Sequence, residues 1–233
     1  MKPVLGAQGV AKIFPRSDGD LTVLAACDLL VGPQEAVAIT GASGSGKSTL
    51  LNILGGLDAP TSGSVTHEGW PLDFADHAAL TRWRSEVVGF VFQFHFLLPD
   101  FTAFENLLIP LRGRRRITAA DRTLAMEFLE RMGLADRADH LPGEMSGGEQ
   151  QRVAVARAFM NRPRVVLADE PFGNLDKEIG ARLGDLLFEM RRDHGTALVI
   201  VTHDSALAGR ADRRLHLHGG RLAVAGGGEE GLR

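Results

Sequence analysis

Eight consecutive residues carry the strongest chemical signal in the chain. Gly41, Ala42, Ser43, Gly44, Ser45, Gly46, Lys47 and Ser48 match the pattern GxxxxGK[ST]. The glycines let backbone N–H groups turn inward as a nest for phosphate oxygens, and a helix that starts at the end of the loop adds the partial positive charge of its N-terminus. Lys47 would reach the β- and γ-phosphates of a nucleoside triphosphate, and Ser48 would ligate magnesium. A glycine-rich surface turn is the plainer reading, and the apolar run before the loop and the helical run after it weigh against that. A second acidic site, Asp169 and Glu170, ends another apolar run, where parallel sheets place ligand-handling residues. Acidic residues also end strands merely to meet water. Beside a phosphate loop, however, Asp169 reads as the magnesium carboxylate and Glu170 as the group that orients or deprotonates an attacking water.

The elements that must hold these groups follow from periodicity. Residues 36–40 form a short apolar run, and residues 48–54 read as a buried helix, so the loop lies between strand and helix. Thr118 with Asp121 opens a helix whose one face carries Leu124, Phe128, Leu129 and Met132, with Gly133 as its C-cap. Ser146 with Glu149 makes a capping box for a helix to about Asn161, where Pro163 blocks continuation. Residues 164–169 and 197–201 are strands apolar on both faces, separated by an amphipathic helix marked by Ile179, Leu183, Leu186, Leu187 and Met190. Strands alternating with helices imply an α/β fold with a parallel sheet.

Composition agrees with one folded unit. The chain has 233 residues, 44% of them apolar, and a formal charge of −3, which excludes a disordered chain and weighs against an electrostatic grip on nucleic acid or anionic lipid. The one cysteine, Cys27, excludes an internal disulfide framework. No stretch approaches the roughly 18 apolar residues of a membrane span, and the opening residues lack the apolar core of a signal peptide, so a cytosolic protein is expected. The tail from Ala225 has no periodicity and is expected to be loose.

The segment from Met145 to Arg152, MSGGEQQR, closely resembles the signature LSGGQ-QR of the ATP-binding-cassette (ABC) ATPases, with Met for Leu and Glu149 at the fifth position. Further landmarks of that family follow in order: Gln93 of the Q-loop, ADEPFGNLD from Ala168 to Asp176, and His203 in VTHD. The resemblance covers essentially the whole chain. It implies a P-loop NTPase (RecA-like) core with a parallel sheet over residues 1–92 and 163–224, an N-terminal antiparallel β subdomain, a helical subdomain inserted over 93–162, and a tail over 225–233. ATP and magnesium are the ligands it implies. Catalytic roles fall to Glu170, His203, Gln93 and Lys47, and metal contacts to Ser48, Gln93 and Asp169. Nucleotide contacts fall to Phe14, to the loop from Gly41 through Thr49, and to Ser146, Gly147, Gly148, Glu149 and Asp176.

Ser146 caps a helix whose free N–H groups and dipole call for an anion. In the family, the signature helix of one copy closes over the nucleotide held by the other, which implies a sandwich of two copies with two composite sites. Single residues keep plainer readings beside these: His203 as a structural histidine, and Phe14 as a core ring instead of the adenine platform. Phe172 stands where the family usually has Thr, with no physical account from sequence.

Six of the 12 Phe fall between residues 90 and 104. A run this apolar suggests a docking surface, with Phe90 and Phe92 read as core-facing. In ABC ATPases the groove after the Q-loop receives a coupling helix from the membrane subunit, and residues between Phe94 and Phe104 would help to line it. The wording FQFHFLLPDFTAFENL, with LGGLDAPTSG and LADEPFGNLD, is similar to the ATPases of lipoprotein-releasing systems more than to those of macrolide and peptide exporters or of the cell-division machinery, which stay as alternatives. This implies two membrane subunits of LolC and LolE type as partners, a peripheral place on the cytoplasmic face of the bacterial inner membrane, membrane contact mainly through those partners, and no nucleic acid. Arg112, Arg114, Arg115 and Arg116 read either as headgroup contacts or as a solvated loop.

Overall fold

Unbroken runs of Val, Ile, Leu and Ala at residues 36–39, 165–168 and 197–201 become strands buried on both faces, as a parallel sheet between two layers requires. The computed structural model describes residues 2–17 and 19–225; the tail beyond Ala225 lies outside the described residues. In chain order the elements are β1 (Leu5–Phe14), β2 (Leu21–Val31), β3 (Ala36–Thr40), α1 (Lys47–Leu54), β4 (Ser62–His67), β5 (Trp70–Pro71), α2 (His77–Glu86), β6 (Val88–Phe92) and α3 (Ala103–Arg112). They continue with α4 (Ala119–Arg131), α5 (Gly147–Phe159), β7 (Val165–Asp169), α6 (Lys177–His194), β8 (Ala197–Val201), α7 (Ser205–Ala208), β9 (Arg213–His218) and β10 (Arg221–Val224).

The central sheet has the order β10-β9-β3-β8-β7-β6, parallel throughout except for the β9–β10 hairpin. A second, antiparallel sheet has the order β2-β1-β4-β5. Alternate residues of the central strands feed two cores. Val37, Ile39, Val165, Leu167, Val199 and Val201 face β1, β2 and α1, while Ala36, Ala38, Val166, Ala168, Leu198 and Ile200 face α3 to α6. Gly89 is required where α5 crosses β6, because a Cβ there would sit 2.3 Å from the Ala158 carbonyl oxygen.

Local signals fare well where capping residues set the boundary. Thr118 and Asp121 form a reciprocal capping box on α4, and Gly133 follows it at φ 66°. Helix α5 stops at Phe159, two residues short of the expected Asn161, because Met160 already serves as its C-cap. Ile179 is corrected from core to surface: α6 joins the core only from Leu183 onward, and Ile179 in its first turn is exposed beside Gly148.

Candidate functional site

Parallel register brings four loop starts to one edge of the central sheet. Ile39 pairs with Val201, Val201 with Asp169, and Asp169 with Phe92. Gly41, Glu170 and Gln93, which directly follow their strands, and His203, two residues past the end of β8, therefore leave the sheet side by side at its C-terminal edge, where open α/β sheets bind ligands.

The phosphate loop opens directly onto α1. Gly46 is its N-cap at φ 99°, with no side chain to satisfy the first-turn N–H groups. Helices α2 to α7 each have an Asp, Ser or Thr acceptor there, so α1 alone among the described α-helices presents a bare positive end. A Cβ at Gly46 would lie 2.9 Å from Val23 Cγ1, so the turn needs glycine for space as well as for its positive φ. Lys47 is only 7% exposed, and its ammonium donates to the carbonyls of Gly41 at 3.1 Å and Ala42 at 2.9 Å.

Among the described residues, Ser45 Oγ and Asp169 Oδ1 are buried in this region without a protein partner. Burial raises the Asp169 carboxyl above its ordinary value, against a hydrogen bond with Ser48 that lowers it. An orphaned, desolvated carboxylate oxygen next to a serine hydroxyl is a donor set that fits a hard divalent cation.

Glu170 adopts φ 42°, a left-handed conformation costly for a side chain with a Cβ, and its N–H still donates to Val201 O at 2.9 Å. The bend turns the carboxylate toward β8, where Oε2 lies 2.9 Å from His203 Nδ1 and accepts from His203 N at 3.3 Å. Gln93 donates through Nε2 to Asn174 Oδ1 at 2.9 Å. Asn174 escaped the sequence reading although it lies within the segment from Ala168 to Asp176. Asp176 uses Oδ1 to accept from Glu178 N and Ile179 N, capping α6.

At the signature, Ser146 Oγ accepts from Glu149 N at 3.3 Å, and Glu149 Oε2 accepts from Ser146 N at 2.7 Å and from its hydroxyl at 2.8 Å. Arg137 Nε reaches the other oxygen at 3.2 Å. The N–H groups of Gly147 and Gly148 have no acceptor within the helix and are the ones available to an anion. Glu149 therefore shapes this end of α5 through the cap and does not project a free carboxylate.

Those bonds from Ser146 and Arg137 hold the Glu149 carboxyl down, from about 4.5 to about 2. A depressed carboxyl stabilises the fold above its unfolded value and loses that contribution as pH falls from about 4.5 to about 2. Glu149→Gln is expected to cost about 1 kcal/mol at neutral pH, read by denaturant midpoints, and the gap to the unmodified chain should shrink near the acid end. An equal gap at both pH values would show that the cap does not use the charge.

Phe14 is exposed at the end of β1, with Lys12 Nζ 5.0 Å from its ring centroid, so the core reading of this ring is set aside. Phe172 is buried against Gly180 of α6, where a Cβ would lie 3.5 Å from its own. The ring also lines a cavity of about 580 Å³ shared with Glu170, Asp176 and His203.

The phenylalanine run divides between core, cavity and surface. Phe90 and Phe92, two apart on β6, stack at 5.4 Å and line a cavity of about 320 Å³ with Arg84, Pro110 and Arg157. Phe94 and Phe96 stand exposed beyond them, Phe96 edge-on to Phe92 at 5.3 Å. Phe90 is core-facing as expected, packed beside Gly55 and Leu167, while Phe90 and Phe92 also line this cavity. Arg157, whose guanidinium is lowered to about 10 by burial, donates to the carbonyls of His95 and Phe96 and so pins the segment after Gln93 to α5. In the arginine cluster, Arg112 lies over the Phe101 ring, Arg114 pairs with Glu86 at 3.3 Å, and Arg115 grips Asp121 with two bonds at 2.6 and 2.7 Å. Among the described residues no helix is long and apolar enough to cross a membrane.

A family model described as ABC transporter matches residues 24–173. A protein of Bordetella pertussis named lipoprotein-releasing system ATP-binding protein LolD is 50% identical over 220 residues, covering 94% of this chain and 95% of that protein. A Caulobacter vibrioides protein named lipoprotein-releasing system ATP-binding protein LolD 1 is 48% identical over 223 residues, covering 95% of each. Among solved structures, an ATP-binding cassette in a dimeric post-hydrolysis state bound to ADP and Pi superposes with TM-score 0.86 at 36% identity, over 94% of this chain and 98% of that one. With the phosphate loop, the acidic strand end and the histidine gathered on one sheet edge, and with these matches, the chain belongs to the ABC transporter family as an ATP-binding, ATP-hydrolysing cassette.

Proposed function

We propose that the chain powers the release of lipoproteins from the bacterial inner membrane toward a periplasmic carrier, as the ATPase subunit beneath two membrane subunits of LolC and LolE type. The observation that carries this reading is half-identity along nearly the whole chain to proteins named for lipoprotein release. The groove walled by Phe90 and Phe92, with the exposed Phe94 and Phe96 beside it, would take the coupling segment of a membrane subunit. Residues 1–92 and 163–224 act as the nucleotide-holding core and residues 93–162 as the helical part that meets the partner.

In this mechanism Phe14 stacks on the adenine, while Lys47, the bare N-terminus of α1 and the loop through Thr49 hold the phosphates. Ser48, Asp169 and Gln93 would hold magnesium, which when bound neutralises charge on the β- and γ-phosphate oxygens. Glu170 orients and deprotonates the attacking water, and His203 holds the Glu170 carboxylate in place. Two copies close face to face, so that Ser146, Gly147 and Gly148 of each meet the γ-phosphate in the other, as dimeric cassettes of similar structure suggest. Closure moves the Phe90–Phe92 groove and thereby the membrane subunits.

The test is purification of the tagged chain from its native membrane in detergent, followed by mass spectrometry of what accompanies it. Two membrane proteins with large periplasmic domains, together with lipoprotein, are the expected result. A division-type membrane partner without lipoprotein would overturn the export reading and leave the ATPase assignment standing.

A further inference from the structure

We propose that Gln151 is a positioning residue for the hydrolytic step, one that ties the signature helix to the two segments carrying Gln93 and Glu170. The inference rests on the reading of those two as hydrolytic groups. Gln151 is 1% exposed and lies in the second turn of α5. Its side-chain Nε2 donates to Phe92 O at 3.1 Å and to Pro171 O at 2.5 Å. Phe92 immediately precedes Gln93, and Pro171 immediately follows Glu170. Pairing between β6 and β7 ends at Phe92 and Asp169, so these carbonyls sit where the ladder gives out, and one amide spans them both.

The arrangement has a feature that packing alone does not explain. Gln151 Oε1 is buried with no partner among the described residues. A buried amide with an orphaned oxygen is disfavoured against an apolar side chain of the same shape. What the amide does, and Met or Leu would not, is hold two carbonyls at a set separation from each other and from the helix that begins at Ser146. A movement of α5 is thereby transmitted to the backbone on either side of the catalytic edge, and a small misplacement of reacting groups is enough to slow chemistry.

Gln151→Met keeps the shape and removes both donated bonds. The expected result in steady-state ATPase assays is a kcat lower by about ten- to a hundred-fold, with KM for ATP and ATP affinity within about two-fold and a melting midpoint lowered by only the few degrees that two carbonyls left without a donor cost. Combined with Gln93→Ala, the loss should be smaller than the product of the two single losses, because both act through one segment. Should the Met variant not fold, Gln151→Leu, which is likewise apolar and has no donor to give, is read in the same way. Wild-type kcat, a rise in KM at constant kcat, strictly multiplicative losses, or failure of both variants to fold would each overturn the proposal. Glu170→Gln measured in parallel separates the two levels. If it is inactive while Gln151→Met is normal, only this inference falls; if Glu170→Gln itself turns over normally, the underlying reading falls too.

Discussion

Glu170→Gln is expected to bind ATP with unaltered affinity, to lose turnover by about a hundred- to ten-thousand-fold, and to accumulate as an ATP-bound dimer. The geometry explains why binding and chemistry should separate so cleanly. Glu170 has no hydrogen bond to the phosphate loop among the described residues, and its Oε2 is occupied by His203, from both Nδ1 at 2.9 Å and the backbone N–H at 3.3 Å. An amide oxygen can accept those same bonds, so the strained backbone at φ 42° and the position of His203 are retained. What is lost is the negative charge and the remaining oxygen's ability to take a proton from water. With hydrolysis blocked, the closed sandwich has no exit, and size-exclusion chromatography with ATP should show a species of twice the mass. Normal turnover would remove Glu170 from its role; blocked turnover with only monomer present would argue against composite sites shared between two copies.

Lys47→Ala carries the second large effect, and it falls on binding. Lys47 is an almost fully buried cation whose partners are two neutral carbonyls, those of Gly41 and Ala42, with no carboxylate in an ion pair among the described residues. A cation held in this way by backbone alone is poised for an anion, and charge-assisted contacts to phosphate are worth about 1.5–3 kcal/mol each. Removing it should weaken ATP binding by on the order of a hundred-fold or more. The bare end of α1 remains but supplies only a partial charge. Equilibrium binding of a fluorescent ATP analogue, with circular dichroism to confirm the fold, is the measurement. Normal affinity would mean that the loop does not cradle the nucleotide.

How much of this was legible in the sequence depends on how local each feature is. The phosphate loop was, because glycines at fixed offsets before Lys47 and Ser48 are demanded by the backbone itself, and Gly46 at φ 99° with no room for a Cβ is that demand made visible. The capping boxes at Thr118 and Ser146 were legible for the same reason, since donor and acceptor lie within one turn. Gln151 could have been found, as it precedes Val155 by four residues and Phe159 by eight and so shares the buried face of α5, but it stands in a polar run that reads as solvated. Phe90 meets its core-facing expectation, yet the cavity that it and Phe92 also line was not legible, because Arg84, Pro110 and Arg157 complete it from other elements.

The sequence by itself determined the chemistry of each piece: a loop for phosphate, an acidic strand end, a capped helix, and strands apolar on both faces. These are short-range properties, set by residue type, spacing and the hydrogen bonds of a single turn. Only the tertiary structure decided that β3, β8, β7 and β6 lie side by side in matched register, that Glu170 bends back onto His203, and that Gln93 finds Asn174. Parallel neighbours are joined by crossovers through helices, so their order is selected by burying both faces of one sheet at once, a condition that no local stretch of residues contains.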